Sequence, residues 1–245
     1  MPDTTVSFDH LIHWVDDLDD AVAGYRAAGF PVDMALAMPG FRNAAWGVDD
    51  ARYVELATVD DWDAVTTSPY ARGVAALRPG IDALDGSGLL TFAVDVPDTR
   101  AVGDRLQAAG HEIEVVEVHF AEQNAGFVEV FVRDVPPHFP FFITYDPPRA
   151  ELARRRAEHR AAEGITSAGR PDLVALLVRT DDPEADAQRM ADFVGCARSA
   201  NTVRLAGAEI RFVAGAPSGL HGFVVRGRER TGEQFSVAGA TLVDG

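Results

Sequence analysis

From Phe8 to Val15 the side chains alternate, with His10, Ile12 and Trp14 on one face and Leu11, His13 and Val15 on the other, which predicts a strand. The period then lengthens. Leu18, Val22 and Tyr25 fall at helical spacing behind the acidic start Asp16-Asp17-Leu18-Asp19-Asp20, and Gly29 stops the helix. Short strand-like runs follow at 32–38, 41–48 and 52–59. The order returns with a strand at 90–96, a helix through Val102 and Leu106, a second Ala-Ala-Gly stop at 108–110, and runs at 112–118, 127–133 and 139–145. Sliding the first copy by 81 positions puts Tyr25 on Leu106 and His10 on Thr91. The pattern predicts an α+β fold of repeated βαβββ modules forming a cupped mixed sheet with helices outside.

This reading divides the chain into a first module at 1–60, a connector at 61–87, a second module at 88–148, a linker helix at 149–170 and a partial, irregular third module at 171–245. The connector is rich in Asp, Thr, Ser, Pro and Gly and is expected to hold at most a helical turn. In the linker, Arg154, Arg155, Arg156, His159 and Arg160 are expected to form a solvated face, with an anion-binding face as the alternative. The third module opens with a strand at 172–178 and a helix started by Asp181-Asp182-Pro183.

Composition narrows the partners. Among 245 residues, 22 basic against 38 acidic side chains leave a net charge of -16, which repels phosphate backbones and anionic headgroups, so neither nucleic acid nor a membrane surface is expected. Cys196 stands alone and no basic-then-apolar leader opens the chain, which points to a cytoplasmic setting.

Strand parity selects the candidate chemistry. Leu11 and Val15 continue the face that the following helix covers, so His10 and Ile12 are expected on the free, concave face and His13 in the core. In 52–57, Val54 and Leu56 suit the helix side, leaving Tyr53, Glu55 and Ala57 on the concave face with His10. His10 and Glu55 would form a metal pair or an acid/base pair. Asn43 is expected inward and Trp46, of opposite parity, outward. Phe127, Glu129, Phe131 and Arg133 share a strand face, which lines the pocket if Val128, Val130 and Val132 face the helix and is otherwise solvated. Phe142 is expected at the same cavity, with Arg133 as its anion-recognising group. His119 reads as a surface residue. Gly86-Ser87-Gly88 precedes a strand, which excludes a pyrophosphate cradle at a helix start.

Four segments together carry a family likeness: Phe8-Asp9-His10-Leu11-Ile12-His13-Trp14-Val15-Asp16-Asp17-Leu18, Asn43-Ala44-Ala45-Trp46-Gly47, Tyr53-Val54-Glu55-Leu56 and Pro140-Phe141-Phe142-Ile143-Thr144-Tyr145-Asp146. Over about 6–147 the sequence resembles the glyoxalase-like branch of the vicinal oxygen chelate superfamily. The resemblance implies paired modules enclosing a pocket for a small oxygenated metabolite. In metal-dependent members each module supplies one ligand from its first strand and one from its last. His10 and Glu55 stand at those positions in the first module, while Thr91 and either Ile143 or Thr144 stand there in the second. The resemblance leaves a divalent metal and a homodimer open, but two donors rarely hold a metal. An isomerase, lyase or dioxygenase, metal-free if need be, is expected, with a non-catalytic small-molecule binder as the alternative.

Overall fold

The computed structural model describes residues 6–35, 37–162, 170–227 and 234–245. The first unit consists of β1 (Ser7–Trp14), α1 (Leu18–Ala27), β2 (Val32–Met34), β3 (Phe41–Gly47) and β4 (Tyr53–Val59). After α2 (Trp62–Val65) and α3 (Ala71–Leu84), the second unit runs through β5 (Gly88–Asp95), α4 (Thr99–Ala108), β6 (Ile113–Phe120), β7 (Ala125–Val132) and β8 (Phe141–Asp146). The strands join in one eight-stranded sheet ordered β2-β3-β4-β1-β5-β8-β7-β6, with β1 and β5 antiparallel at its centre. The fold is α+β, a curled half-barrel sheet with the helices of its units outside.

Helix α5 (Arg149–Ala162) leads to β9 (Asp172–Thr180), α6 (Pro183–Val194), β10 (Arg198–Ser199), β11 (Thr202–Leu205) and β12 (Ala208–Ala214), then to β13 (Gly219–Arg226), β14 (Gln234–Val237) and β15 (Ala240–Asp244). Their sheet is ordered β10-β11-β12-β9-β13-β15-β14. The expectation of one irregular third module is corrected here. β9 to β12 with α6 repeat the strand order of the first unit in full, and β13, β15 and β14 follow as a shorter fourth. The two-residue β10 and the brief β11 hid the repeat, because strands this short show no periodicity.

The helices of the three βαβββ units start and stop by the same chemistry. Asp17, Asp98 and Asp182 accept from the backbone N–H three residues on, at 3.0, 3.0 and 3.1 Å. Gly29, Gly110 and Gly195, each at positive φ, end them.

The connector is also corrected. Instead of a helical turn it holds α2 and the 14-residue α3, laid across the concave face of the first sheet. Pro79 inside α3 removes a backbone donor and reads as a breaker. Burial of Val74 and Ile81 against that face holds the helix nonetheless. Gly80 permits the close approach, since a Cβ there would lie 2.8 Å from Leu90 and 3.3 Å from Pro137.

The convex faces of the two sheets meet back to back around α1, α4 and α6 in one apolar core, where Trp46 packs on Phe223 and Phe142 on Phe193. Arg52 ties the sheets at the rim, donating to Leu173 O at 3.0 Å, to Gly207 O, and to Asp172 Oδ1 at 2.9 Å. Among the described residues no helix is long and apolar enough to cross a membrane.

His13 lies fully buried in that seam. Its Nε2 is 2.7 Å from Ala238 O and its Nδ1 2.8 Å from the Tyr25 hydroxyl. A carbonyl only accepts, so Nε2 carries the hydrogen and Nδ1 accepts from Tyr25, which makes the ring neutral. Burial pushes its pKa down from 6.5 to about 4, against the backbone hydrogen bond to Ala238, which raises it. The unfolded chain therefore binds the extra proton first. Stability from this site is complete above pH 6.5 and falls as the pH drops toward 4, by about 3 kcal/mol in all. Urea unfolding at pH 7 and pH 4.5 is expected to show that loss, and His13→Gln should flatten it. An unchanged slope in His13→Gln would assign the acid lability to other groups.

Candidate active site

The cup beneath α3 encloses a cavity of about 230 Å³, walled by apolar side chains such as Ile12, Trp14, Phe41, Val74 and Phe127. That lies below the roughly 300–1,000 Å³ usual for drug-sized ligands, so the cavity has room only for a small molecule. Five polar side chains border it from β1, β3, β4 and β7: His10, Asn43, Tyr53, Glu55 and Glu129. Tyr70 reaches it from the start of α3, and Tyr145 from β8.

A bulge in β1 builds the centre. Phe8 pairs with Val94 and His10 with Ala93, so Asp9 is the extra residue between them. Asp9 Oδ2 lies 2.7 Å from His10 Nδ1 and accepts from the Tyr145 hydroxyl at 2.7 Å. Arg149 Nε stands 2.7 Å from Asp9 Oδ1, an ion pair without hydrogen-bond alignment. Burial pushes the Asp9 carboxyl up, but the hydrogen bond and charge of His10, the charge of Arg149 and the Tyr145 hydrogen bond outweigh it and hold it below the usual carboxylate range. An ionised carboxylate only accepts, so His10 Nδ1 carries the hydrogen. Its Nε2 faces the cavity, 3.7 Å from Glu55 Oε2. Tyr53 stacks on the imidazole at 4.5 Å and Phe141 meets its edge at 5.5 Å, which clamps the ring.

Asn43 donates through Nδ2 to Glu55 Oε1, and its own Oδ1 is buried without a partner. Glu129 comes from β7 in the other half of the cup, in register with Ile143. Burial drives its carboxyl up to about 8, opposed by the hydrogen bond from Tyr70 and reinforced by the charges of Glu55 and Asp9. Its Oε2 is buried without a partner. Two polar atoms, one from each half of the cup, are therefore left for a ligand to satisfy.

Three of the residues expected at the cavity lie elsewhere. Phe142 points to the convex side, buried against Phe193 of α6, while Phe141, Ile143 and Tyr145 face the concave side, the last two lining the cavity. The open choice at the end of the second unit thus falls to Ile143, and Thr144 bonds Val96 O and the Thr99 N–H at the start of α4. Arg133 follows the last residue of β7, half-exposed, and donates to Glu114 Oε2 at 2.7 Å. It does not border this cavity. Phe131 lines a separate recess of about 130 Å³ on the other side of α3 and stacks on Phe141 at 4.7 Å, so it supports the floor without lining it. His119 is exposed.

Parity could not show Asp9, because the bulge breaks the alternation. Tyr70 carried no signal in a segment read as connector, and Arg149 lay in one read as linker. The part of that linker at 163–169 lies outside the described residues.

The donors do not suit the divalent-metal centre of metal-dependent relatives. Thr91 gives its hydroxyl to Phe139 O at 2.7 Å and Ile143 has no donor atom, so of the four positions only His10 Nε2 and Glu55 Oε2 remain as donors. Among the described residues no three His, Cys, Asp or Glu side chains converge on a metal position.

Residues 8–168 match a family model described as a glyoxalase-like domain. The chain belongs to the glyoxalase-like domain family. It is a member of the vicinal oxygen chelate superfamily. No curated protein matches the sequence. A crystal structure of a hypothetical protein from Staphylococcus aureus has the same fold, at TM-score 0.76 and 14% identity over 98% of this chain and 99% of that one. A mutant of 4-hydroxymandelate synthase from Streptomyces coelicolor is similar at TM-score 0.52 and 16% identity, over 91% of this chain and 71% of that one. The glyoxalase-like match runs through α5, the helix whose Arg149 stands against Asp9.

Proposed function

We propose that this glyoxalase-like protein is a metal-independent proton-transfer enzyme acting on a small, largely apolar compound that carries a carbonyl. The reading rests on one observation: an Asp9-oriented imidazole and a buried, proton-holding Glu129 share a cavity whose other walls are apolar. His10 Nε2 takes the proton from the carbon beside the carbonyl. Glu129 gives its own to the carbonyl oxygen, so an enol forms without net charge. Asp9 and Glu55 stabilise the imidazolium. Return of a proton from His10 to the same face regenerates the substrate with exchange, and its return to the opposite face of an enol that has turned in the cavity, with the enol O–H proton going back to Glu129, completes an epimerisation. Asn43 Oδ1 is placed to accept from a hydroxyl on the substrate, and α3 excludes water.

Non-catalytic sequestration is the second reading, favoured by Ile143 and the engaged Thr91 where catalytic relatives would hold ligands. Mass spectrometry of compound released from the denatured protein names the guest, and incubating that guest with fresh protein in D₂O separates the two. Deuterium at the carbon beside the carbonyl, lost in His10→Gln, is expected. Tight binding with no exchange would leave sequestration.

A further inference from the structure

At the edge formed by β3 and β4 the cavity continues into an open recess of about 660 Å³, and the two share Ala35, Asn43, Tyr53 and Glu55. The far wall of the recess is cationic, with Arg156, Arg160 and Arg170 lining it. Arg149, Arg156 and Arg160 are seven and four residues apart, which places them on one face of α5. Arg154 and Arg155 lie off that face, paired with Glu151 and Glu158. The helix thus keeps one arginine set for solvent and turns the other toward the site.

The inward set is only partly neutralised. Arg160 donates to Asp49 O at 3.0 Å and stands 2.8 Å from Asp50 Oδ1, yet its Nη1 is buried without a partner. Arg156 reaches the Asp50 carbonyl at 3.2 Å and lies 6.0 Å from the Tyr53 ring, which in turn stacks on His10. Neither Arg156 nor Arg170 pairs with a carboxylate among the described residues. Three acidic side chains also line the recess, Asp33, Asp49 and Glu55; Asp49 is bound to Arg52 at 2.6 Å and Glu55 accepts from Asn43. Two guanidinium groups without a carboxylate partner, Arg156 and Arg170, in a chain of net charge -16 are a local reversal of the field, set at a mouth that opens onto Glu55 and Asn43.

We propose that this mouth recognises the anionic end of the substrate, a carboxylate or phosphate group held by Arg156 and Arg170, while the apolar carbonyl-bearing end occupies the inner cavity. The placement rests on the reading of the inner cavity as the reacting end. Guanidinium groups meet either anion with paired, charge-assisted hydrogen bonds, which suits both sources.

Binding, with no turnover required, tests it. Calorimetric titration would use ω-phenylalkanoates of increasing chain length, the matching ω-phenylalkanols and the matching phosphate monoesters. One anionic series is expected to bind about ten-fold tighter than the alcohols, with an advantage that fades as salt is added. The better of the two anions names the chemical source. In the double variant Arg156→Gln/Arg170→Gln that advantage should vanish while alcohol affinity stays put. Neither residue pairs with a carboxylate whose loss would disturb the fold, and thermal unfolding of the variant checks this. Alcohols that bind as tightly as both anions, or an anion preference that survives in the double variant, would overturn the proposal. Anion preference without deuterium exchange would sink the proton-transfer reading alone, and exchange without anion preference would sink this one alone.

Discussion

Glu129→Gln is expected to lower turnover of the co-purified compound by about 10²–10⁴-fold and, at high pH, to make the protein more stable. The two effects share one cause. Buried away from water, the Glu129 carboxyl keeps its proton to about pH 8. As a general acid it works only while protonated, so the rate should fall as the pH rises through about 8. The stability sign follows from linkage. The folded-state pKa lies above the unfolded value of 4.5, so the contribution is full below 4.5 and is lost as the pH climbs to about 8. That loss amounts to about 5 kcal/mol. Glutamine keeps the shape and can still accept from Tyr70, but it holds no charge at any pH. Denaturation at pH 5 and pH 9 should show wild type weakening and Glu129→Gln holding level. Full turnover in a variant with that flattened profile would make Glu129 a structural acid and remove it from the mechanism.

Arg149→Met is expected to destabilise the protein by about 3–5 kcal/mol, because it strips a buried carboxylate of its cation. Asp9 is 1% exposed and Arg149 17%, so water can make up little of the loss. Arg149 also donates to Phe8 O at 2.8 Å, on the strand that carries His10. Asp9 is now held below the usual carboxylate range, and the stability it contributes is present above its unfolded value of 3.8 and lost as the pH falls through the lower folded value. Without Arg149 that loss should begin at higher pH. Urea midpoints at pH 7 and pH 5 measure both effects. A variant within about 0.5 kcal/mol of wild type at both values would show that His10 and Tyr145 alone keep Asp9 ionised.

The repeat was legible because its signals are local. An aspartate cap, an apolar stripe and a glycine stop each act within one turn of helix, so Asp17 with Gly29, Asp98 with Gly110 and Asp182 with Gly195 mark their helices without reference to anything distant. His10, Ile12, Asn43 and Glu55 lie on the concave face as parity expects for the same reason, since β1 from His10 onward pairs without a shift along β4, and β3 and β4 alternate regularly from end to end. Where the alternation breaks, the reading broke with it. The bulge at Asp9 makes a residue that simple alternation would put on the far side the partner of His10.

Sequence alone determined the order of elements within the first two modules, the kind of fold and the first-unit half of the candidate site, because period, capping and strand parity are properties of neighbouring residues. Tertiary structure decided the rest, because it turned on what covers each face. Phe142 faces outward since α6, more than forty residues later, supplies Phe193 to bury it. Glu129 had two open readings on its strand. It became a buried acid once α3, held on the sheet by Val74 and Ile81 despite Pro79, closed over the cup and left the carboxyl facing Tyr70 instead of water. Desolvation depends on every atom within several ångströms, whatever its place in the chain, and that is why the proton on Glu129 is a fact of the fold.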